Sequence, residues 1–138
     1  MATGLAEALL SEVEVRRLLT RAAVMVPVPL HPARKRERGY NQAELLAGEL
    51  ARRSGLEVVA DALVRRRDTR SQTGLSAAGR RQNVRGAFVV RRRGRVAGRV
   101  VVLVDDVVTT GATAMACARA LSEAGAVEVR LLTAARVP

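Results

Sequence analysis

Two adjacent carboxylates and three threonine hydroxyls lie close together between residues 105 and 113. Residues 101–113 are V-V-L-V-D-D-V-V-T-T-G-A-T: four apolar residues, then Asp105 and Asp106, then a threonine-rich turn containing Gly111. The apolar run predicts a strand buried on both faces, as in parallel sheets. Because open α/β sheets bind ligands at the carboxyl ends of their strands, we expect the two acids to lie at a ligand-binding edge.

These residue types predict a sugar phosphate as the ligand. The two carboxylates can accept hydrogen bonds from sugar hydroxyls. The turn from Thr109 to Thr113 can offer hydroxyls, backbone N–H groups and the positive end of a helix dipole to a phosphate, and Gly111 lets the ligand approach the backbone. The alternative is that these residues only cap a helix. Two consecutive acids followed by T-T-G-A-T exceed what capping requires.

The surrounding pattern predicts the elements that position this motif. The end of the chain alternates strand, glycine-bearing turn, helix and strand, which is a βαβ unit with parallel strands. Asn41 is a predicted N-cap, and Gly55 a predicted helix end. The predicted helices span residues 5–22, 42–53 and 112–124, with a short one capped by Ser76. The predicted strands span 24–30, 56–64, 87–90, 99–104 and 127–133, with a basic loop at 31–40 and a turn at 91–98.

The basic charge is concentrated in one segment. The chain has 138 residues and a net charge of +11, and residues 65–99 hold 12 arginines against a single acid, Asp68. The rest of the chain is therefore neutral. Such a segment favours a polyanionic partner. The chain has only two aromatic rings, Tyr40 and Phe88, which argues against a base-stacking platform. Arg91, Arg92, Arg93 and Arg95 are interpreted as either a solvated turn or a nucleic-acid contact.

Composition excludes several classes of protein. The single cysteine, Cys117, allows no internal disulfide and no thiolate zinc site, and we expect it in the core. No apolar run approaches the 18 residues of a membrane span, and residues 1–10 lack the basic start of a secretory signal. We therefore expect a cytoplasmic protein with one domain over residues 1–138, in which residues 1–23 form a lead-in helix and 65–99 a cationic loop and hairpin.

The motif resembles a known family. Residues 101–113 are similar at all 13 positions to the phosphoribosyl-pyrophosphate (PRPP) motif of type I phosphoribosyltransferases. Residues 26–43, V-P-V-P-L-H-P-A-R-K-R-E-R-G-Y-N-Q-A, resemble a segment typical of ComF-type competence proteins, as does the ending L-L-T-A-A-R at 131–136. Further matching positions are Gln72, Leu75, Ser76, Arg81, Asn83, Val84 and Phe88. The resemblance covers residues 24–137.

The resemblance implies a type I phosphoribosyltransferase fold: a Rossmann-like α/β fold whose parallel sheet of about five strands is flanked by helices. It implies that Asp105 and Asp106 bind the ribose hydroxyls of PRPP and that residues 65–86 form a mobile loop over the site. The 5′-phosphate would be held by Thr109, Thr110, Gly111, Ala112 and Thr113. The pyrophosphate would face the 31–41 loop, with His31, Arg34, Arg36 and Arg38.

Each of these loop residues also has a purely structural interpretation. His31 could be a loop residue held between Leu30 and Pro32, and the arginines could be a solvated run of charge. Typical family members also begin with a cysteine-rich zinc module. The sequence has no such module, so we predict no zinc site. The resemblance then gives no expectation for the part of the protein that would cover the second substrate.

Two functions remain open at this stage. The first is an enzyme of nucleotide metabolism that transfers the 5-phosphoribosyl group of PRPP to a nitrogen acceptor and releases pyrophosphate. Its Mg²⁺ would be bound through PRPP, with no direct protein ligand. No general base better than His31 is visible, and the catalytic residues stay unassigned. The second is a non-catalytic DNA-uptake module that binds single-stranded DNA through the arginine-rich segment. The resemblance also implies a second copy of the chain or a competence-machinery protein as partner.

Overall fold

The apolar run before the Asp pair forms the centre of a parallel sheet. The computed structural model of the protein describes residues 23–30, 36–37, 39, 41–66, 86–108 and 111–136. The elements in chain order are β1 (Ala23–Pro27), α1 (Gln42–Ser54), β2 (Glu57–Val58), β3 (Leu63–Arg65), β4 (Phe88–Val90), α2 (Arg93–Val96), β5 (Val100–Val108), α3 (Ala112–Glu123) and β6 (Glu128–Arg136).

Four of these strands form the main sheet, in the order β2-β1-β5-β6, and all neighbours are parallel. The strand β5 lies inside the sheet, with Leu103 between Val26 of β1 and Leu131 of β6. Residues 101–104 are at most 1% exposed. The predicted strand buried on both faces is therefore confirmed. Within the described residues the parallel sheet has four strands, where the resemblance implied about five.

Within the described ranges one helix packs on each face of this sheet, because successive side chains of a strand point to opposite faces. The α1-side core joins β1 and β5 to helix α1 and includes Met25, Val102, Val104, Leu46 and Leu50. The α3-side core joins the other face to helix α3 and to β3 and β4, and includes Val24, Val26, Val101, Leu103, Leu63, Phe88, Cys117 and Leu121. This layering confirms the predicted Rossmann-like α/β architecture. No helix in the described ranges has the length and apolar character needed to cross a membrane.

Helix α1 begins and ends as its sequence predicts. The Oδ1 atom of Asn41 accepts a hydrogen bond from the Ala43 N–H at 3.0 Å, which satisfies one N–H group of the first turn. Gly55 ends the helix in the left-handed conformation, with φ +79°. The predicted cap and the predicted end of this helix are both confirmed.

The predicted strand at 56–64 is wrong as a single element. Residues 60–62 turn the chain around Asp61, so β2 belongs to the parallel sheet and β3 pairs with β4 in a separate antiparallel hairpin. The predicted turn at 91–98 contains the four-residue helix α2. The predicted end of β5 at residue 104 is also wrong, since β5 continues through the Asp pair to Val108 alongside β6. The predicted helices at 5–22 and after Ser76 lie outside the described residues.

Candidate functional site

The two aspartates of the motif occupy different environments, although they are neighbours in β5. Asp105 follows Val101 and Leu103 on the α3-side face and is only 9% exposed. Its Oδ1 atom accepts a hydrogen bond from the N–H of Asp106 at 2.9 Å. Asp106 is half-buried, and its carbonyl accepts a hydrogen bond from the Thr133 hydroxyl at 3.4 Å. The strand therefore presents one buried and one more accessible carboxylate.

Burial raises the pKa of Asp105 to about 7, because a carboxylate loses its hydration there. The neighbouring Asp106 raises the Asp105 pKa further, through a side-chain hydrogen bond and like charge. The backbone N–H of Asp106 and the positive charge of Arg65 act in the opposite direction. Asp105 therefore titrates near neutral pH, where a small change in its surroundings decides whether it is an ion.

Helix α3 starts just beyond the end of β5. Gly111 precedes its first residue and has φ +83°, a conformation that favours glycine. A Cβ atom at Gly111 would meet nothing within 4 Å, so the space beside this backbone is open. The first turn of α3 contains no acidic side chain. The positive end of a twelve-residue helix therefore lies beside this open space, which suits an anion.

The chain after β1 is fastened to the same end of the sheet. The N–H of Val28 donates to the carbonyl of Val104 at 2.8 Å, one residue before Asp105. The Nδ2 atom of Asn41 donates to the Val28 carbonyl at 3.1 Å. Asn41 is buried, so this side chain joins the end of β1 to the start of α1. Val28 and Asn41, which flank the predicted basic loop in the sequence, are thereby connected to β5 at the residue before Asp105.

Residues 41–138 match a protein family described as the phosphoribosyl transferase domain. This chain belongs to that family. The match includes the whole region from Asn41 through β5 and α3, on which the site geometry depends.

Curated relatives of this phosphoribosyl transferase domain are competence and DNA-utilization proteins. Competence protein F of Haemophilus influenzae is 39% identical over 81% of the chain and 49% of its own length. DNA utilization protein YhgH of Escherichia coli K12 is 39% identical over 95% of the chain and 58% of its own length. Competence protein ComFC of Bacillus subtilis is 35% identical over 74% of the chain and 39% of its own length. The resemblance to ComF-type proteins is confirmed, and the chain spans about half the length of these relatives.

Two solved structures share this fold: one is described as a glutamine PRPP amidotransferase and the other as an enzyme of purine biosynthesis. Glutamine PRPP amidotransferase from B. subtilis, in complex with ADP and GMP, aligns with a TM-score of 0.64 and 28% identity. The alignment covers 96% of the 138-residue chain and 26% of the amidotransferase chain. A structure described as the allosteric regulatory enzyme of purine biosynthesis aligns with a TM-score of 0.63 and 27% identity, over 96% of the domain and 25% of that chain. The predicted type I phosphoribosyltransferase fold is confirmed.

The described residues of the motif converge at one place in this domain. Asp105 and Asp106 lie in the last part of β5, and residues 111–113 form the start of α3. Ala112 is buried and Thr113 half-buried. Arg36, predicted on the pyrophosphate side, is exposed. The other predicted contacts lie outside the described residues: Thr109, Thr110, His31, Arg34 and Arg38.

Arg65 is a residue that the sequence interpretation misplaced. The resemblance implies that Arg65 begins a mobile loop, but it is the last residue of β3 and is only 7% exposed. Its guanidinium carbon lies 4.8 Å from the centre of the Phe88 ring. A signal was present in the sequence: Leu63 and Arg65 are two residues apart, so a strand places both on the same face. Most of the predicted mobile loop, residues 67–85, lies outside the described residues.

The arginines at 91–95 lie on the surface, and two of them pair with acids. Arg92 contacts the carboxylate of Asp61 at 2.6 Å, and Arg95 pairs with Glu57. Arg91 and Arg93 are exposed as well. The solvated-turn interpretation is therefore consistent with the side chains of Arg92 and Arg95. Cys117, by contrast, lies in the core, as predicted, and is completely buried. Burial raises the pKa of its thiol, so the thiol stays neutral.

Proposed function

We propose that this domain binds PRPP and transfers its 5-phosphoribosyl group to a nitrogen acceptor, with release of pyrophosphate. One observation carries the proposal: a buried strand delivers two carboxylates to the same end of the sheet at which a glycine-started helix begins. The carboxylates can accept hydrogen bonds from the hydroxyls of a ribose, and the helix start beside them can bind its 5-phosphate. The family match and the likeness to a PRPP amidotransferase support the same ligand.

Each part of the proposed site has a distinct task. Asp105 and Asp106 accept hydrogen bonds from the ribose hydroxyls and orient the sugar. Residues 109–113, from Thr109 to Thr113, hold the 5′-phosphate. On the pyrophosphate side, the basic loop supplies positive charge through His31, Arg34, Arg36 and Arg38. Arginine suits this task because its guanidinium binds phosphate oxygens through two parallel hydrogen bonds.

In the proposed reaction the bond between the anomeric carbon and pyrophosphate breaks, and its electron pair leaves with the pyrophosphate oxygen. A bond from the acceptor nitrogen to the same carbon forms, and the nitrogen loses a proton. The sugar carries positive charge in the transition state while negative charge grows on the leaving group. The residues of the domain act by orienting the ribose and by stabilising these charges.

Magnesium fits the site as an ion that accompanies PRPP. The described residues contain no cluster of three or more histidine, cysteine, aspartate or glutamate side chains that could hold a metal on its own. Mg²⁺ commonly binds substrate phosphates and keeps several waters, so it needs no such cluster. When bound, it would neutralise charge on the pyrophosphate. We propose that it reaches the site through PRPP, with no direct protein ligand.

Isothermal titration calorimetry with PRPP and Mg²⁺ at pH 8 tests the ligand site. The double variant Asp105→Asn with Asp106→Asn removes two charged hydrogen-bond acceptors and should weaken binding by about 100-fold or more. Glu123→Gln removes an exposed carboxylate at the far end of α3 and should bind like the native protein. A native protein that does not bind PRPP would overturn the proposal. A screen of nitrogenous acceptors for pyrophosphate release then identifies the second substrate.

A second candidate function is DNA binding through the surface around α2. Arg91 and Arg93 are exposed there. Their neighbours Arg92 and Arg95 form exposed ion pairs, which are weak enough to be replaced by contacts with phosphate. The names of the curated relatives, competence and DNA-utilization proteins, favour a role with DNA. Contacts of this type bind the nucleic-acid backbone rather than the bases.

The salt dependence of single-stranded DNA binding tests this second candidate. Changing Arg91 and Arg93 to Gln should reduce the slope of log K against log salt by about 1.4, because each lost phosphate contact on a single strand changes it by about 0.7. The control variant changes Arg52 and Arg53 of α1 to Gln, which removes the same charge elsewhere on the surface. Equal slopes for the native protein and the Arg91/Arg93 variant would exclude this surface as a DNA contact.

A further inference from the structure

Two charged side chains are buried among the described residues, and both belong to the same side of the sheet. Arg65 is 7% exposed and Asp105 is 9% exposed. Charged side chains are rarely buried unless an opposite charge or strong hydrogen bonds accompany them. The two residues are 40 positions apart in the chain, on β3 and β5. Their common location is therefore a product of the fold.

The hairpin directs Arg65 toward the α3-side core. In β3, Leu63 and Arg65 are buried while Val64 between them is partly exposed, so Arg65 faces inward with Leu63. Phe88 is its register partner in β4, and the guanidinium lies 4.8 Å from the centre of that ring. Phe88 belongs to the same core as Leu103, which precedes Asp105 by two residues on the same face of β5.

The backbone of the hairpin holds this position firmly. The N–H of Arg66 donates to the carbonyl of Ala87 at 2.8 Å, and the N–H of Arg91 donates to the carbonyl of Ala62 at 2.8 Å. These bonds lie on both sides of the Arg65–Phe88 pair. The planar guanidinium stacks on the aromatic face, which favours a charged arginine in a partly apolar place. Arg65 is thus a fixed cation inside the domain.

We propose that Arg65 is a positioning residue of the PRPP site: from the β3–β4 hairpin its buried positive charge favours and orients the Asp105 carboxylate that accepts the ribose hydroxyls. This inference rests on the proposed function. Ribose hydroxyls donate to a carboxylate, whereas a neutral carboxylic acid has one acceptor fewer and presents a proton. Arg65 would act through Asp105 without touching the ligand.

The groups that face Asp105 act in opposite directions. Among the described residues, Arg65 on β3 lowers the pKa of Asp105, and Asp106 on β5 raises it. Cys117 on α3 is buried, and its raised pKa keeps the thiol uncharged. Without Arg65, the pKa of Asp105 would rise further, because burial and Asp106 raise it and Arg65 would no longer lower it. The neutral form of Asp105 would then persist to a higher pH.

A carbon-13 NMR titration of the aspartate carboxyl groups in the ligand-free protein tests the charge coupling directly. The Asp105 signal is assigned by its loss in Asp105→Asn. In Arg65→Gln the Asp105 midpoint should move upward by about 1 pH unit. Arg66→Gln removes an exposed arginine one residue further along the chain and should leave the midpoint unchanged. Equal midpoints in the native protein and Arg65→Gln would overturn the inference.

The pH dependence of PRPP affinity tests the consequence for the ligand. In Arg65→Gln the dissociation constant for Mg²⁺ and PRPP should rise about fivefold at pH 7 and approach the native value above pH 9, because Asp105 is then ionised in both proteins. A loss of affinity that is equal at every pH would mean that Arg65 contacts the ligand itself, and would overturn the positioning role. If native protein binds no PRPP at any pH, the proposed function fails, while the NMR result still decides the charge coupling.

A milder variant covers the case in which Arg65→Gln does not fold. Phe88→Leu keeps an apolar side chain in the core but removes the ring on which the guanidinium rests. The Asp105 midpoint should again move upward, by less than in Arg65→Gln. Arg65→Lys keeps the charge and should restore the native midpoint. An Asp105 midpoint that stays at its native value in Phe88→Leu would count against the inference.

Discussion

The two faces of the central sheet are built from the same strands but have different contents. Among the described residues, the α1-side core joins apolar side chains, with Met25, Leu46 and Leu50 completely buried. The α3-side face includes apolar residues as well, but it also holds the buried charges of Arg65 and Asp105. Both faces derive from the alternation of strands such as β5, whose even-numbered and odd-numbered residues point in opposite directions.

This difference separates stability from function within the molecule. An apolar core stabilises the fold in proportion to the surface it removes from water. A buried carboxylate opposes folding because it loses its hydration. Buried ionisable groups with shifted pKa values are concentrated at functional sites. Both faces therefore support the fold through their apolar residues, while the α3-side face also bears the cost of two buried charges, one of them Asp105 of the proposed site. Three predictions test this contrast, in order of decreasing effect.

The largest effect is expected on the apolar face. Leu50→Ala removes a completely buried side chain from α1 and should lower the free energy of unfolding by about 2–5 kcal/mol. The loss should be the same at pH 5 and pH 8, because no titrating group is involved. Urea denaturation measures both values. Leu45→Ala on the same helix is the control: Leu45 is 50% exposed, and its loss should change stability by less than about 1 kcal/mol.

A pH-dependent effect is expected on the charged face. Asp105 has a pKa of about 7 in the folded protein, above the 3.8 of an unperturbed aspartate. The folded protein therefore holds more protons than the unfolded chain between these values. The contribution of Asp105 to stability should fall as pH rises from about 4 to about 7, and remain constant above. Asp105→Asn should remove this fall and stabilise the protein at pH 8 by an amount on the order of 2–4 kcal/mol.

Urea denaturation at pH 5 and pH 8 measures this effect as a difference between the variant and the native protein. Glu123→Gln is the matched control, because it removes an exposed carboxylate at the far end of α3 and should leave the pH dependence in place. If Asp105→Asn and the native protein lose stability in parallel between these pH values, Asp105 is not the group responsible and the contrast between the faces is wrong.

The smallest effect concerns two glycines that have the same conformation on different sides of the molecule. Gly55 ends α1 with φ +79°, and Gly111 precedes α3 with φ +83°. A Cβ atom meets nothing within 4 Å at either position, so alanine should destabilise both by backbone strain alone, by about 1–2 kcal/mol. Only Gly111→Ala should also weaken PRPP binding, measured by calorimetry. Equal PRPP affinities for the two variants would remove Gly111 from the proposed phosphate site.

Several elements follow from short stretches of sequence alone. Four consecutive apolar residues before Asp105 predict a strand buried on both faces, and β5 is such a strand. The N-cap at Asn41 and the left-handed Gly55 are likewise local signals, because a side-chain oxygen or a missing Cβ acts on its own few residues. The 13-residue motif predicted a phosphoribosyltransferase fold, which the comparisons confirm.

Other features depend on partners that are distant in the chain. Asp61 interrupts an apolar stretch, but only the parallel partner β1 and the antiparallel partner β4 separate that stretch into β2 and β3. The bond from Asn41 to the Val28 carbonyl spans 13 residues. The ion pair of Arg92 with Asp61 spans 31 residues, which a count of charges along the chain does not reveal.

The residues of the proposed site were thus determined by type and order along the chain, whereas their electrostatic character was decided by packing. The sequence identifies Asp105 and Asp106 as an acidic pair, but it does not show that their burial differs. Only the sheet buries Asp105, exposes more of Asp106 and brings the Arg65 guanidinium of β3 to the same face. The physical reason is that solvation and Coulomb interactions depend on distances through space, which a sequence pattern contains only where the partners are neighbours along the chain.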